Sequence, residues 1–315
     1  MQVIEMRSTT KKQLGLLNAI GNTPLVELLN LNPNPRVKIL AKVEGSNPGG
    51  SVKDRAAYYM IKRAEERGEL SAGKTIVEAT SGNMGISLAM IGAVKGYHVK
   101  LFMPECVSQE RRRVLEAFGA ELELTPAKEI TDGAIKRARQ FVEREPEKYY
   151  LPDQFSNEAN VEAHYLTTGP EILSQADGEV DVFIAGMGTT GTLMGVCKYF
   201  KEKKSEARII GVEPTIGHSI QGLKNMTEAI VPRIYHPEAL DDKITVQDGE
   251  AFEISRLLAV KEGLFVGMSS GAAVAGALRL AREMHHGTIV TLLPDRGDRY
   301  LSTSLFRSIC AQCPP

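Results

Sequence analysis

Asn47-Pro48-Gly49-Gly50-Ser51-Val52-Lys53-Asp54-Arg55 joins a strand-like run to a helical one. The run before it is Val37-Lys38-Ile39-Leu40-Ala41-Lys42-Val43. After it, Ala57, Met60, Ile61 and Ala64 share one face of a predicted helix. Lys53 therefore falls at a strand-to-helix junction, beside a glycine pair that lets the backbone approach a neighbour closely. The positive end of a helix dipole and partial burial both disfavour an ammonium there, so the amine's pKa falls. That suits a nucleophile or a Schiff-base former. A surface lysine in an ordinary loop is the competing reading.

Outward from this junction the chain alternates strand and helix. Gly21-Asn22-Thr23-Pro24 turns into a first strand. The Lys53 helix stops at Gly68. Residues 75–79, 98–103 and 121–124 read as strands, and 86–95, 108–118 and 132–145 as helices, with Ser108 as a cap. Met90, Ile91 and Val94, at helical spacing, are expected in the core. Asp153-Gln154-Phe155-Ser156-Asn157 is polar and reads as a connection between lobes. The alternation then resumes: helices at 170–176, 193–203, 250–262 and 271–285, and strands at 180–185, 208–213 and 288–293. Residues 215–242 are irregular and rich in Gly, Pro and His, as a loop over a site would be. Such regular βα alternation implies parallel sheets flanked by helices.

Three further junctions share one composition. They are Thr80-Ser81-Gly82-Asn83-Met84-Gly85, Gly186-Met187-Gly188-Thr189-Thr190-Gly191-Thr192 and Gly267-Met268-Ser269-Ser270-Gly271. In a parallel sheet these loops gather at the carboxyl ends of the strands, where ligands bind. Helix N-termini offer unpaired N–H groups to anions, and small residues let a phosphate or carboxylate reach them. Helix capping alone would explain any one of the loops; together with Lys53 they point to a site for two anionic groups. Gly186-x-Gly188-x-x-Gly191 also fits a dinucleotide fingerprint, with Glu213 ending the next strand, so a nicotinamide-dependent dehydrogenase competes. Yet that fingerprint lies past the middle of the chain and leaves Lys53 and Asn83 without roles.

Composition narrows the classes. The 315 residues are more than one core usually organises, so two lobes are expected. A net charge of -1 makes no case for nucleic acid or an anionic membrane. No apolar run is long enough to span a bilayer, and residues 1–12 do not read as a secretory signal. Four cysteines do not make a disulfide framework, and Cys310-x-x-Cys313 lacks the further ligands of a zinc site. A cytoplasmic enzyme with reduced thiols is the expectation. The six histidines show no metal spacing, although His218 lies within the irregular segment.

Gly49-Gly50-Ser51-Val52-Lys53-Asp54-Arg55, Thr80-Ser81-Gly82-Asn83, Gly188-Thr189-Thr190-Gly191-Thr192 and Ser269-Ser270-Gly271 occur in this order. Together they resemble the cysteine synthase and cystathionine β-synthase family of fold-type II pyridoxal phosphate (PLP) enzymes. The likeness runs from Gly21 to Thr303 and is greatest to the B-type cysteine synthases (O-acetylserine sulfhydrylases). Met187-Gly188-Thr189-Thr190-Gly191-Thr192, Ser108-Gln109-Glu110-Arg111-Arg112, His164-Tyr165 and Asp295-Arg296-Gly297-Asp298-Arg299 carry that finer likeness.

The resemblance implies a two-lobed α/β fold like the tryptophan synthase β chain, with mostly parallel twisted sheets flanked by helices. Residues 47–156 would form a small mobile domain, and 1–46 plus 157–315 a large one. Lys53 would form the Schiff base with PLP, and Gly188, Thr189, Thr190, Gly191 and Thr192 would cradle its phosphate. Asn83 would meet the ring hydroxyl and Ser269 the pyridine nitrogen. Thr80, Ser81 and Gln154 would hold the substrate carboxylate, and Lys224 is placed to read a phosphate on the substrate. Met84 stands where most relatives have Thr, so one side-chain donor is missing from that loop. The implied reaction is β-elimination from O-acetylserine or O-phosphoserine to an aminoacrylate, then addition of a sulfur donor to give L-cysteine, in a homodimer. A cystathionine β-synthase or serine dehydratase-like lyase is the alternative.

Overall fold

The computed structural model describes residues 15–80, 82–107, 109–203 and 205–306. Ser81, Ser108, Cys310, Cys313 and residues 1–12, all singled out above, lie outside the described residues. In chain order the elements are β1 (Leu25–Glu27), β2 (Val37–Val43), α1 (Lys53–Glu66), β3 (Thr75–Ala79), α2 (Asn83–Lys95), β4 (His98–Pro104), α3 (Gln109–Ala117), β5 (Glu121–Thr125), α4 (Ile130–Arg144), β6 (Tyr149–Tyr150), α5 (Glu158–Ala163), α6 (Gly169–Gln175), β7 (Val182–Gly186), α7 (Gly191–Glu202), β8 (Arg208–Pro214), β9 (Asp242–Val246), α8 (Asp248–Glu262), α9 (Met268–Glu283) and β10 (Gly287–Leu293). One π-helical turn, His164–Thr168, joins α5 to α6.

The strands form two sheets. The larger has the order β1-β2-β10-β7-β8-β9, and the smaller β5-β4-β3-β6. Among the described strands only β1 runs antiparallel to its neighbour. In the larger sheet β10 is central, with Ile289 level with Ile39 of β2 and Val182 of β7. Each sheet has its own apolar core. Met60, Ile61, Ile76, Leu88 and Leu101 pack in the smaller, and Ile39, Ile184, Ile210, Val274 and Ile289 in the larger.

The sequence patterns explain these elements. Ala57, Met60, Ile61 and Ala64 all lie on the buried face of α1. Fully burying Met60 and Ile61 stabilises the fold by about 1.5–3 kcal/mol each. Helix α2 ends at Gly96, whose φ of +78° closes the turn in the left-handed region. Helix α9 is buried on every side from Met268 to Leu278, where small and apolar residues predominate. A Cβ on Gly271 would lie 2.0 Å from the Ala251 carbonyl, so α8 and α9 meet backbone to backbone there.

Three details depart from the sequence reading. Helix α9 starts at Met268 rather than Gly271, which puts Ser269 in its first turn. Residues 158–168 are helical, and β6 and β9 add strands at the sheet edges. These pieces are too short or too polar to show a clear period. Val94, expected in the core with Met90 and Ile91, is 48% exposed. It belongs to the last turn of α2, and among the described residues the fold leaves it uncovered.

A buried charge network seats the first turn of α1. The Arg55 guanidinium donates to both Glu44 oxygens at 2.8 and 2.9 Å, to both Glu171 oxygens at 2.6 and 2.7 Å, and to Thr23 Oγ1 at 3.1 Å. Lys42 Nζ lies 2.7 Å from Glu171. Asn47 Nδ2 donates to Glu44, while its Oδ1 accepts from the Gly21 N–H. Burial pushes the Glu171 carboxyl up, but the hydrogen bonds and charge of Arg55 outweigh it and hold the carboxyl down at about 2. The Gly21 turn, β2, α1 and α6 are thus tied at one point, two residues from Lys53.

Candidate active site

Lys53 is the first residue of α1, and its Nζ donates to Thr189 Oγ1 at 3.2 Å. Burial alone pushes the amine down from 10.5 to about 8. The shift has the direction the sequence suggested: the ammonium still predominates at neutral pH, and the neutral amine becomes half the population at about 8. Thr189 lies in the loop between β7 of the larger sheet and α7, whereas α1 packs in the core of the smaller sheet, so this contact joins the two.

That loop is shaped for an anion. Thr190, the residue before α7, has φ of +67°. A β-branched residue in the left-handed region is a true outlier, the kind of strain kept at binding sites. A Cβ on Gly188 would sit 2.5 Å from the Gly222 carbonyl, and one on Gly191 2.2 Å from Asn160 Oδ1. At Gly188 the neighbour is backbone and at Gly191 it is the fully buried Asn160 side chain, so a larger residue at either position must displace one of them. The loop's inner side carries the Thr189 hydroxyl and the free N–H groups that begin α7. Behind it, Thr192 Oγ1 meets His164 Nε2 at 3.3 Å, and His164 Nδ1 meets Thr168 Oγ1 at 2.9 Å. Burial first, then the charges of Arg55 and Lys53, hold His164 neutral.

Ser269 and Asn83 come in from two other junctions. Ser269 is 4% exposed, and Gly222, with φ of +93°, lies over it: a Cβ there would be 3.8 Å from Ser269 Oγ. Gly222 thus touches both the β7–α7 loop and Ser269. Asn83 opens α2. Its Nδ2 donates to Asp295 Oδ2 at 2.6 Å, and its Oδ1 accepts from Arg299. Asp295 pairs in turn with Ser51 through a strand-like bridge and accepts from the Tyr300 hydroxyl at 2.6 Å. Asn83 is held by the segment that follows β10, which the sequence marked as a motif without a role.

The proposed carboxylate residues lie at the end of β3. Thr80 Oγ1 accepts from the Gly82 N–H at 3.1 Å. Gln154 Nε2 faces the Ala79 carbonyl at 3.4 Å, and its N–H donates to Glu78 Oε2 at 3.3 Å. Burial pushes the Glu78 carboxyl up to about 8. Met84 is 2% exposed and packs in the smaller core, so its side chain fills space beneath the loop. Lys224 donates its N–H to the Met187 carbonyl at 2.7 Å. Its ammonium lies 3.7 Å from Asp132 and 5.0 Å from the centre of the Phe155 ring. His218 approaches Glu228 at 4.0 Å, within its own loop. Glu213, the candidate ribose ligand of the dehydrogenase reading, is taken by Lys243 at 2.9 Å.

The chain matches the family described as pyridoxal-phosphate dependent enzyme over residues 16–295. It belongs to that family. The enzyme is 48% identical over 291 residues to cysteine synthase B of Salmonella typhimurium, a match covering 92% of this chain and 95% of that protein. Identity to cysteine synthase B of Escherichia coli is 46% over the same length and with the same coverage. A solved cysteine synthase from Entamoeba histolytica superposes with a TM-score of 0.89 at 38% identity, covering 98% of this chain and 94% of that one. O-ureido-L-serine synthase superposes equally well, at 39% identity over 94% of this chain and 96% of its own. The dehydrogenase reading is thereby set aside.

The residues present fit this enzyme's cofactor. The Gly188 cradle lies at the start of a helix, which suits a phosphate, and a partly neutral amine stands across from it. Asn160, Asp295, Arg299, Glu78 and Gly222 support these groups, and sequence reading did not single out their roles. Only the Asp295-Arg296-Gly297-Asp298-Arg299 motif signalled any of them. Among the described residues, no group of three His, Cys, Asp or Glu could hold a metal ion, and no helix is long and apolar enough to cross a membrane.

The Gly188 contact yields a prediction. In Gly188→Ala the new methyl meets backbone on the far side, so the loop must move. Overpacking of this kind costs about 1–3 kcal/mol. The expected result is a PLP dissociation constant about ten- to hundred-fold higher, measured by titrating apoprotein and following the visible band. An unchanged constant would mean that the loop does not contact the cofactor.

Proposed function

We propose that this enzyme is a cysteine synthase, making L-cysteine and acetate from O-acetylserine and sulfide. The observation that carries the reading is Lys53, a partly neutral amine within hydrogen-bond reach of an anion cradle supplied by the other lobe. The cysteine synthase relatives support the choice of reaction.

Gly188, Thr189, Thr190, Gly191 and Thr192 hold the cofactor phosphate through N–H and hydroxyl donors. Asn83 holds the ring hydroxyl, and Ser269 faces the ring nitrogen. Lys53 anchors the cofactor and, once displaced by substrate, its neutral Nζ takes the proton from the substrate α-carbon. When bound, the cofactor supplies the electron sink for that carbon. Thr80, Ser81 and Gln154 orient the substrate carboxylate. A serine at the ring nitrogen is a far weaker acid than a carboxylic acid, which favours loss of the β-substituent over other fates of the carbanion. Lys224, at the rim, meets the leaving group when that group is a phosphate. The smaller lobe, 47–156, closes on the remainder, 1–46 plus 157–315, around the substrate. The enzyme works as a cytoplasmic homodimer.

The test is direct. Purified protein should be yellow, its visible band should shift on adding O-acetylserine, and cysteine should form when sulfide follows. A band that O-acetylserine leaves unmoved, with no cysteine formed, would defeat the proposal. The same titration with O-phosphoserine ranks the two esters.

The amine also predicts a pH dependence. Burial disfavours the ammonium, so the reactive neutral form grows as pH rises and is half the population at about 8. The rate at which apoprotein captures PLP should climb with pH and level off just above 8. An unshifted lysine would keep the rate rising toward 10.5.

A further inference from the structure

Asn160, on α5, is fully buried, with no exposed surface. Its Nδ2 donates twice: to the Gln154 main-chain carbonyl at 2.9 Å and to Thr189 Oγ1 at 3.2 Å. The Gln154 carbonyl can only accept, which settles the amide's orientation. The nitrogen, not the oxygen, must face both partners. The Oδ1 points the other way, toward Gly191, and has no hydrogen-bond partner.

Thr189 Oγ1 thereby receives two N–H donors, from Asn160 and from Lys53. A hydroxyl oxygen has two lone pairs and one proton. With both lone pairs engaged, the proton can serve only as a donor to a third group. Thr189 lies in the anion cradle, 6% exposed. When Lys53 is bonded to the cofactor, Asn160 still occupies one lone pair and keeps the hydroxyl proton from turning toward the amide.

We propose that Asn160 is a positioning residue that makes the Thr189 hydroxyl a dedicated donor to the cofactor phosphate. Through its second bond it also locks the Gln154 backbone, so the carboxylate end and the phosphate end of the site share one buried amide. The unpartnered Oδ1 is consistent with this. The site tolerates an unsatisfied acceptor, at a real cost, to keep both donors aimed. The inference rests on the proposed phosphate cradle.

A double-mutant cycle on the PLP dissociation constant tests it. Asn160→Ala should weaken binding about tenfold, the scale of losing control over a bond to a charged group. Thr189→Val should weaken it at least as much. The double variant should bind no worse than Thr189→Val alone, because Asn160 acts through that hydroxyl. In Thr189→Ser, which keeps the hydroxyl, Asn160→Ala should again cost about tenfold. The 31P resonance of the bound cofactor should shift in Asn160→Ala toward its position in Thr189→Val. A merely structural role would give equal losses with and without the hydroxyl, and that additivity would overturn the proposal; so would no loss in Asn160→Ala. If Thr189→Val binds PLP normally, the phosphate-cradle reading itself is wrong. Should Asn160→Ala fail to fold, Asn160→Asp keeps the shape while drawing the Thr189 proton to itself. It should bind more weakly than wild type, and wild-type affinity would overturn the proposal.

Discussion

Lys53→Ala is expected to lower cysteine formation from O-acetylserine by about 10³-fold or more. Two losses combine. Removing a general base costs roughly 10²–10⁴-fold, and the covalent anchor for the cofactor goes with it. The fold should survive. Lys53 Nζ makes one side-chain hydrogen bond, to Thr189, and a buried amine is more easily removed than added. Alanine is a good helix former at the start of α1. Thermal stability should thus stay level or rise while turnover disappears, which separates a chemical role from a structural one. Lys53→Arg sharpens the test, because a guanidinium keeps its charge at every working pH. It should be as inactive as the alanine variant. Turnover near wild type in either variant would remove Lys53 from the mechanism.

The second large effect is on stability. Arg55→Ala removes the centre of the buried network under α1. Glu44, with a fully buried side chain, would keep only the Thr23 hydroxyl at 2.7 Å and the Asn47 amide at 2.9 Å. Leaving one partner of a buried ion pair costs about 3–5 kcal/mol. For a chain of this size that corresponds to a fall of roughly 5–8 °C in Tm. Calorimetry or circular dichroism would measure it. PLP affinity should fall too, since the network seats the turn from which Lys53 projects. Replacing both partners, as in Arg55→Met with Glu44→Leu, should recover much of the loss, because paired apolar groups do not strand a charge. A single variant costing under about 1 kcal/mol, the value of a surface pair, would show that the network is not what holds α1.

Much of the candidate site was legible because its signals are local. A lysine after a glycine pair and three Gly/Ser/Thr junctions between apolar strands and helices mark backbone geometries that few other residues can adopt. The apolar face of α1 was equally plain, since one period runs through Ala57, Met60, Ile61 and Ala64. Val94 misled because a period says which residues share a face, not how far along that face the fold covers it. Met84 read as a missing donor, and the structure shows it packed beneath the loop. Lys224 read as a cation placed for a phosphate on the substrate, and its ammonium lies against Asp132 and Phe155.

By itself the sequence determined the βα order, the Gly/Ser/Thr loops between strands and helices and the lysine at one of those junctions. Those features are set within a few residues, by backbone freedom, helix dipoles and hydrophobic period. Only the tertiary structure decided what surrounds them. Asn160 between Gln154 and Thr189, Gly222 against Gly188 and Ser269, Asp295 on Asn83 and Arg55 between Glu44 and Glu171 join residues far apart in the chain. Their pairing depends on how two sheets and their helices pack, and on the rule that a buried polar group must find its partner wherever the fold brings one.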